Sequence, residues 1–233
     1  MARAVCIFAV CLLVAGLTQS NAEEQQLAPL KRSVRSAMQG LSAAMFEKVK
    51  KTVVKTCVEN GHQDGDDLED SIDQAKECLK SKKMFLTPKA EFLDHIDSCS
   101  EDAVRKVRNC MPEDKKYFPE FIQDLMKSVV TMMYDDYDIM RVDIAACAPD
   151  LAKPSAQLEY INCLKRVSKE TGDGDCIPKS KAALCEILLP ATECLPKWLE
   201  STCADSENLR KYRVDYYAAN ERPCKAKEED NNI

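Results

Sequence analysis

The chain has 233 residues, with 33 basic against 39 acidic side chains and a net charge of −6. This balance excludes a sequence-independent binder of nucleic acid or anionic membrane, which needs a basic surface. Only 6 glycines and 6% aromatic residues disfavour a β-sandwich and favour helices.

Met1–Ala2–Arg3 is a short basic start, and Val5 to Leu17 is an apolar run too short to cross a bilayer. Ser20 and Ala22 place small residues at the positions a signal peptidase reads, so residues 1–22 are expected to be a secretory signal. No later apolar run is long enough for a membrane span. Residues 23–40 form a polar leader containing the dibasic pair Lys31–Arg32. From 41 onward, Leu41, Ala44, Met45, Val49, Val53 and Cys57 recur at helical spacing. Lys48, Lys50, Lys51 and Lys55 lie largely off that face and are read as solvated.

Asn60, His62, Asp64 and Gly65 match the start of a calcium loop. Asp67 and Ser71 break the pattern at its apolar and bidentate positions, so the stretch reads as an acidic turn capping a helix from Leu68 to about Lys80. Thr87–Pro88 opens the next helix, and Ser100–Glu101–Asp102 is expected to open a separate one ending at Cys110. The longest amphipathic run carries Phe121, Ile122, Leu125, Met126, Val129, Val130, Met133 and Tyr137 in phase, to Met140. Helices are then expected at 155–169, 179–189, 191–203 and 206–219, with Pro190 at a turn. The predicted fold class is all-α, with about eight to ten short helices. They would form one domain over 41–224, with halves 41–140 and 141–224 and a charged tail at 225–233.

Removal of the signal takes Cys6 and Cys11 and leaves eleven cysteines, none closer than nine residues to the next. In a secreted chain that density reads as a disulfide framework, and the spacing disfavours zinc motifs built on close pairs. Cys57, Cys78, Cys99, Cys110, Cys147, Cys163, Cys176, Cys185, Cys194 and Cys203 are assigned to the framework. Cys224, after Pro223 and before the charged tail, is the candidate unpaired thiol, so a monomer with one free thiol or a disulfide-linked dimer is expected. An internal repeat would set Cys57, Cys78, Cys99 and Cys110 against Cys147, Cys163, Cys185 and Cys194.

The sequence offers no catalytic motif, and no cofactor or metal ligand is assigned. His95, beside Asp94 and Asp97, departs from the His-Asp dipeptide and adjacent cysteines of secreted phospholipase A2. Acidic pairs such as Asp135–Asp136 are what the composition supplies anyway. The methionine-rich run suggests an adaptable apolar pocket lined by Met126, Val129, Val130, Met133 and Tyr137. The nine-residue cysteine spacing resembles one element of insect odorant-binding proteins, whose C-x3-C pair is missing here. "ECLK", "NCLK" and "ECLPKW" around Cys78, Cys163 and Cys194, with the signal and the helical composition, resemble the insect 27 kDa hemolymph glycoprotein family. That resemblance implies secretion into body fluid, helices and disulfides, and no known activity. The chain has no N-x-[ST] sequon, unlike a glycoprotein. The expected role is a secreted, non-enzymatic carrier of an apolar small molecule, with a storage, structural or immune-associated interaction protein as the alternative.

Overall fold

The computed structural model describes residues 46–62, 64–170 and 177–226. The expected signal peptide, the leader, most of the tail and Cys176 lie outside them. Among the described residues there are eight helices of nine residues or more and no strand, so the fold is all-α. They are α1 (46–59), α2 (Gly65–Lys80), α3 (Lys89–Cys110), α4 (Phe118–Asp135), α7 (Pro154–Glu170), α8 (Lys181–Thr192), α9 (Cys194–Thr202) and α10 (Glu207–Lys225). Between α4 and α7 the chain makes a short α5 (Tyr137–Ile139), a π-helical turn (Met140–Ile144) and a short α6 (Ala145–Leu151).

The starts follow from local chemistry. Asp64 caps α2 by accepting from the Asp67 N–H at 3.0 Å, and Asp66 and Asp67 sit in the first turn, where the helix dipole favours them. Ser180 and Ser206 do the same for α8 and α10, accepting from Ala183 and Leu209. The expected start at Ser100 is not a start. Ser100 lies in the middle of the 22-residue α3 and donates its hydroxyl to the Ile96 carbonyl at 2.7 Å. A mid-helix serine that bonds back to its own helix sends no stop signal. Phe92, Ile96, Cys99, Ala103, Val107 and Cys110 then keep one unbroken buried face. Three other boundaries also move: the expected long helix to Met140 ends at Asp135, where the chain breaks at Asp136. α8 runs through Pro190 to Thr192, and α10 runs through Pro223 to Lys225. In each case the proline removes one backbone hydrogen bond, and only two helical residues follow it, so little helix has to continue beyond the disturbed turn.

α2 packs on α3, α3 on α4, α4 on α10, and α10 on α8, while α7 packs on α9. The α4–α10 contact joins the first and second halves, and one hydrophobic core runs from Val53 to Ala219. The five bridges have a pattern of their own. Cys57–Cys110 encloses Cys78–Cys99, and Cys147–Cys203 encloses Cys163–Cys194. Each half therefore carries one nested pair, and Cys185–Cys224 ties α8 to α10. The bridges do not follow the expected correspondence: Cys185 pairs with Cys224, and the nested pairs set Cys99 and Cys110 beside Cys194 and Cys203.

Candidate functional site

All ten described cysteines are bridged, so nine of the ten assigned to the framework are placed in it and Cys176 lies outside the described residues. The choice of Cys224 as the unpaired thiol is wrong. It is the penultimate residue of α10 and bonds to Cys185 of α8, with the Cα atoms 5.8 Å apart. The error came from reading Pro223 as the end of the helix. Because the helix continues, Cys224 is held on a packed element and not on a loose tail.

Of the five residues expected to line an apolar pocket, Val129, Val130 and Met133 are buried in the core on α4, and Met126 packs half-buried against it. Tyr137 is 40% exposed and lies against Phe85, with ring centroids 4.5 Å apart. A cleft among the described residues lies elsewhere and is mainly polar. It has a volume of about 260 Å³ and is lined by Thr52, Lys55, Thr56, Glu59, Asn60 and Lys115 together with Pro112 and Ile177. Several of its groups are already engaged. Thr52 and Thr56 donate to carbonyls one turn back on α1, and Asn60 donates to the Cys110 carbonyl at 2.9 Å.

The carboxylates of the calcium-like stretch are likewise used in packing. Asp67 is ion-paired with Lys106 at 2.9 Å, and Ser71 donates to Asp102 at 2.8 Å. That hydrogen bond is the main reason the Asp102 carboxyl sits below the usual range, with Lys106 adding to it. The lysines of α1 are not all solvated. Lys50 is only 5% exposed and is held by Glu69 and Asp73 at 2.9 Å and Glu47 at 3.1 Å. Burial works against its charge, but the three carboxylates outweigh burial and raise its pKa well above the ordinary value. Its burial is tolerated because the ammonium finds acceptors on both α1 and α2.

One cluster of side chains with chemistry of its own stands between α2 and α3. Cys78, near the end of α2, meets Cys99 of α3, and His95 stands one turn before Cys99 on the same face of α3. Donor atoms of the three residues all lie within 4.8 Å of one another. His95 Nε2 is 3.0 Å from the Cys78 carbonyl oxygen and 3.4 Å from Ser81 Oγ. Both ring nitrogens are 3.5 Å from Cys99 Sγ. The available signal was a His-x3-Cys spacing within one helix, but Cys78 lies 21 residues from Cys99 and spacing alone could not bring it in.

No family model, curated protein or solved structure matches the chain. No described helix is long and apolar enough to cross a membrane.

Proposed function

We propose that this is a secreted, non-enzymatic protein of insect hemolymph type that acts through its surface, as a storage, structural or immune-associated interaction protein. The observation that carries this reading is the use of the α4 apolar stripe. Val130 is fully buried, Val129 and Met133 nearly so, and all three belong to the core that joins the two halves. A carrier would need that stripe to face a cavity, whereas a cleft among the described residues lies elsewhere, lined by lysine, glutamate, threonine and asparagine with Pro112 and Ile177. The five bridges support an oxidising destination. Ser20 and Ala22 support entry to it, with the circulating chain starting at Glu23.

The test is native mass spectrometry, with lipid extraction, of protein purified from its natural fluid. The expected result is a mass accounted for by polypeptide beginning at Glu23, with no lipid at stoichiometric level. A co-purifying apolar molecule at about one per chain would replace this reading with the carrier. A chain that still begins at Met1 would remove the secreted assignment.

A further inference from the structure

We infer that Cys78, His95 and Cys99 form a masked site for a thiophilic divalent cation of the zinc class, closed by the Cys78–Cys99 disulfide and opened by its reduction. Three observations lead to it. The first is access. Among the ten bridged cysteines, Cys78 is the exposed one; the other nine are buried or half-buried. A thiol in solution must reach a disulfide sulfur to attack it, so this bridge is the one presented for exchange.

The second is the histidine. A backbone carbonyl can only accept, so the 3.0 Å contact from Nε2 to the Cys78 oxygen assigns the ring proton to Nε2. Nδ1 is left with its lone pair, and both ring nitrogens lie 3.5 Å from Cys99 Sγ. A ring that donates one N–H to a carbonyl and offers the other nitrogen is the arrangement of metal-binding histidines. The third is the frame. His95 and Cys99 are four residues apart on α3, so the helix itself fixes two of the three donors on one face. The Cys78 and Cys99 Cα atoms are 5.5 Å apart. Rotation about the two Cα–Cβ bonds can part the sulfurs to the roughly 3.8 Å that two 2.3 Å bonds to a tetrahedral ion require.

The chemistry balances with a low-molecular-weight thiol as reductant. Two such thiols give up two hydrogens and become one disulfide, while the Cys78–Cys99 bond breaks to give two protein thiols. A zinc ion then displaces two protons from these thiols and takes the imidazole nitrogen as third ligand. Water takes the fourth position on the exposed Cys78 side. In the oxidised protein neither sulfur can supply a thiolate, and the site is silent. This goes beyond a surface-interaction role and does not depend on it.

The test uses the full secreted chain carrying Cys176→Ser, which removes a competing thiol. Limiting reductant is followed by differential alkylation and peptide mapping, and cobalt(II) serves as the spectroscopic probe of the zinc class. Cys78 and Cys99 are expected to be the first pair labelled. One cobalt per chain is expected to bind only after reduction, with thiolate-to-cobalt absorption in the near ultraviolet. His95→Ala is expected to weaken binding by about tenfold or more. Cys78→Ser/Cys99→Ser, with four bridges kept, is expected to bind none. The labelling order and the cobalt spectrum need no variant at the site, so a misfolded mutant does not shelter the idea. Another bridge opening first, a reduced protein that takes up no cobalt, or affinity unchanged in His95→Ala would each overturn it.

Discussion

Asp136 is the residue with the most at stake in the interior. It is 1% exposed at the break between α4 and α5, and one carboxylate oxygen is ion-paired with Lys211 of α10 while the other has no hydrogen-bond partner. Lys211 also reaches Asp215, and these two hydrogen bonds, Asp136 first, raise its pKa well above the usual lysine range. The two partners are not equivalent. Lys211 is 55% exposed and can return to water, whereas Asp136 cannot. Lys211→Met should therefore cost about 3–5 kcal/mol, the penalty of a buried charge left without its partner. Asp136→Asn should cost about 1.5–3 kcal/mol, the range for hydrogen bonds to charged groups. Urea unfolding of the two variants checks the order, and equal losses would show that the burial of Asp136 does not govern the pair. A second expectation at this scale comes from the cysteine count. Ten of the eleven cysteines after the expected signal are bridged to one another. Alkylation of unreduced protein should thus label Cys176, and a covalent dimer, if one forms, should vanish in Cys176→Ser. Label on Cys224 would contradict the Cys185–Cys224 bridge.

At the scale of the elements, three helix starts are legible in short polar side chains, and the other helices in their apolar periodicity. Asp64, Ser180 and Ser206 each accept from a backbone N–H three residues on. Asp64→Ala should lower stability by about 1 kcal/mol, read as a fall of about 2–4 °C in melting temperature for a chain of this size. A fall no larger than that of Asp66→Ala, which only sits in the first turn, would mean that the cap contributes nothing of its own. The sequence misled where one signal has two physical uses. Ser-Glu-Asp opens helices, yet Ser100 spends its hydroxyl on Ile96 and the apolar face continues past it. Proline ends helices, yet Pro190 and Pro223 sit within the last turns of α8 and α10. The membership of the disulfide framework was legible from cysteine count and spacing, but its connectivity was not. Which sulfurs meet depends on how α2, α3, α8 and α10 cross, and no local spacing fixes that. The same limit hid the Cys78–His95–Cys99 cluster.

At the scale of the whole molecule, the two halves are joined by α4 against α10, and the groups at and near that seam bear on how the fold answers to pH. Tyr212 of α10 is buried, and its hydroxyl pKa is raised first by burial and then by the Asp136 charge. Tyr134 of α4 donates to the Thr87 carbonyl at 2.8 Å and to the Met84 carbonyl. Burial, with a contribution from Glu91, pushes its pKa up to about 12. Lys211 at the seam and, away from it, Lys50 between α1 and α2 are also raised by their carboxylate partners. All four groups hold a proton more tightly folded than unfolded. For such groups stability is fully present below the unfolded value and is lost as pH rises through the folded one. Since ordinary tyrosines and lysines titrate at roughly 10 to 10.4, stability should be flat from neutrality to about pH 9. It should then fall steeply from about pH 10 upward, as the unfolded chain releases protons that the native chain keeps. Tyr134→Phe loses the one hydroxyl proton shared between the two carbonyls, and with it one of these titrating groups, so its stability at pH 7 should drop while its decline above pH 10 becomes shallower. Urea midpoints of both proteins across pH 7–11 test this. A parallel fall in the two proteins would show that Tyr134 takes no part in the alkaline transition.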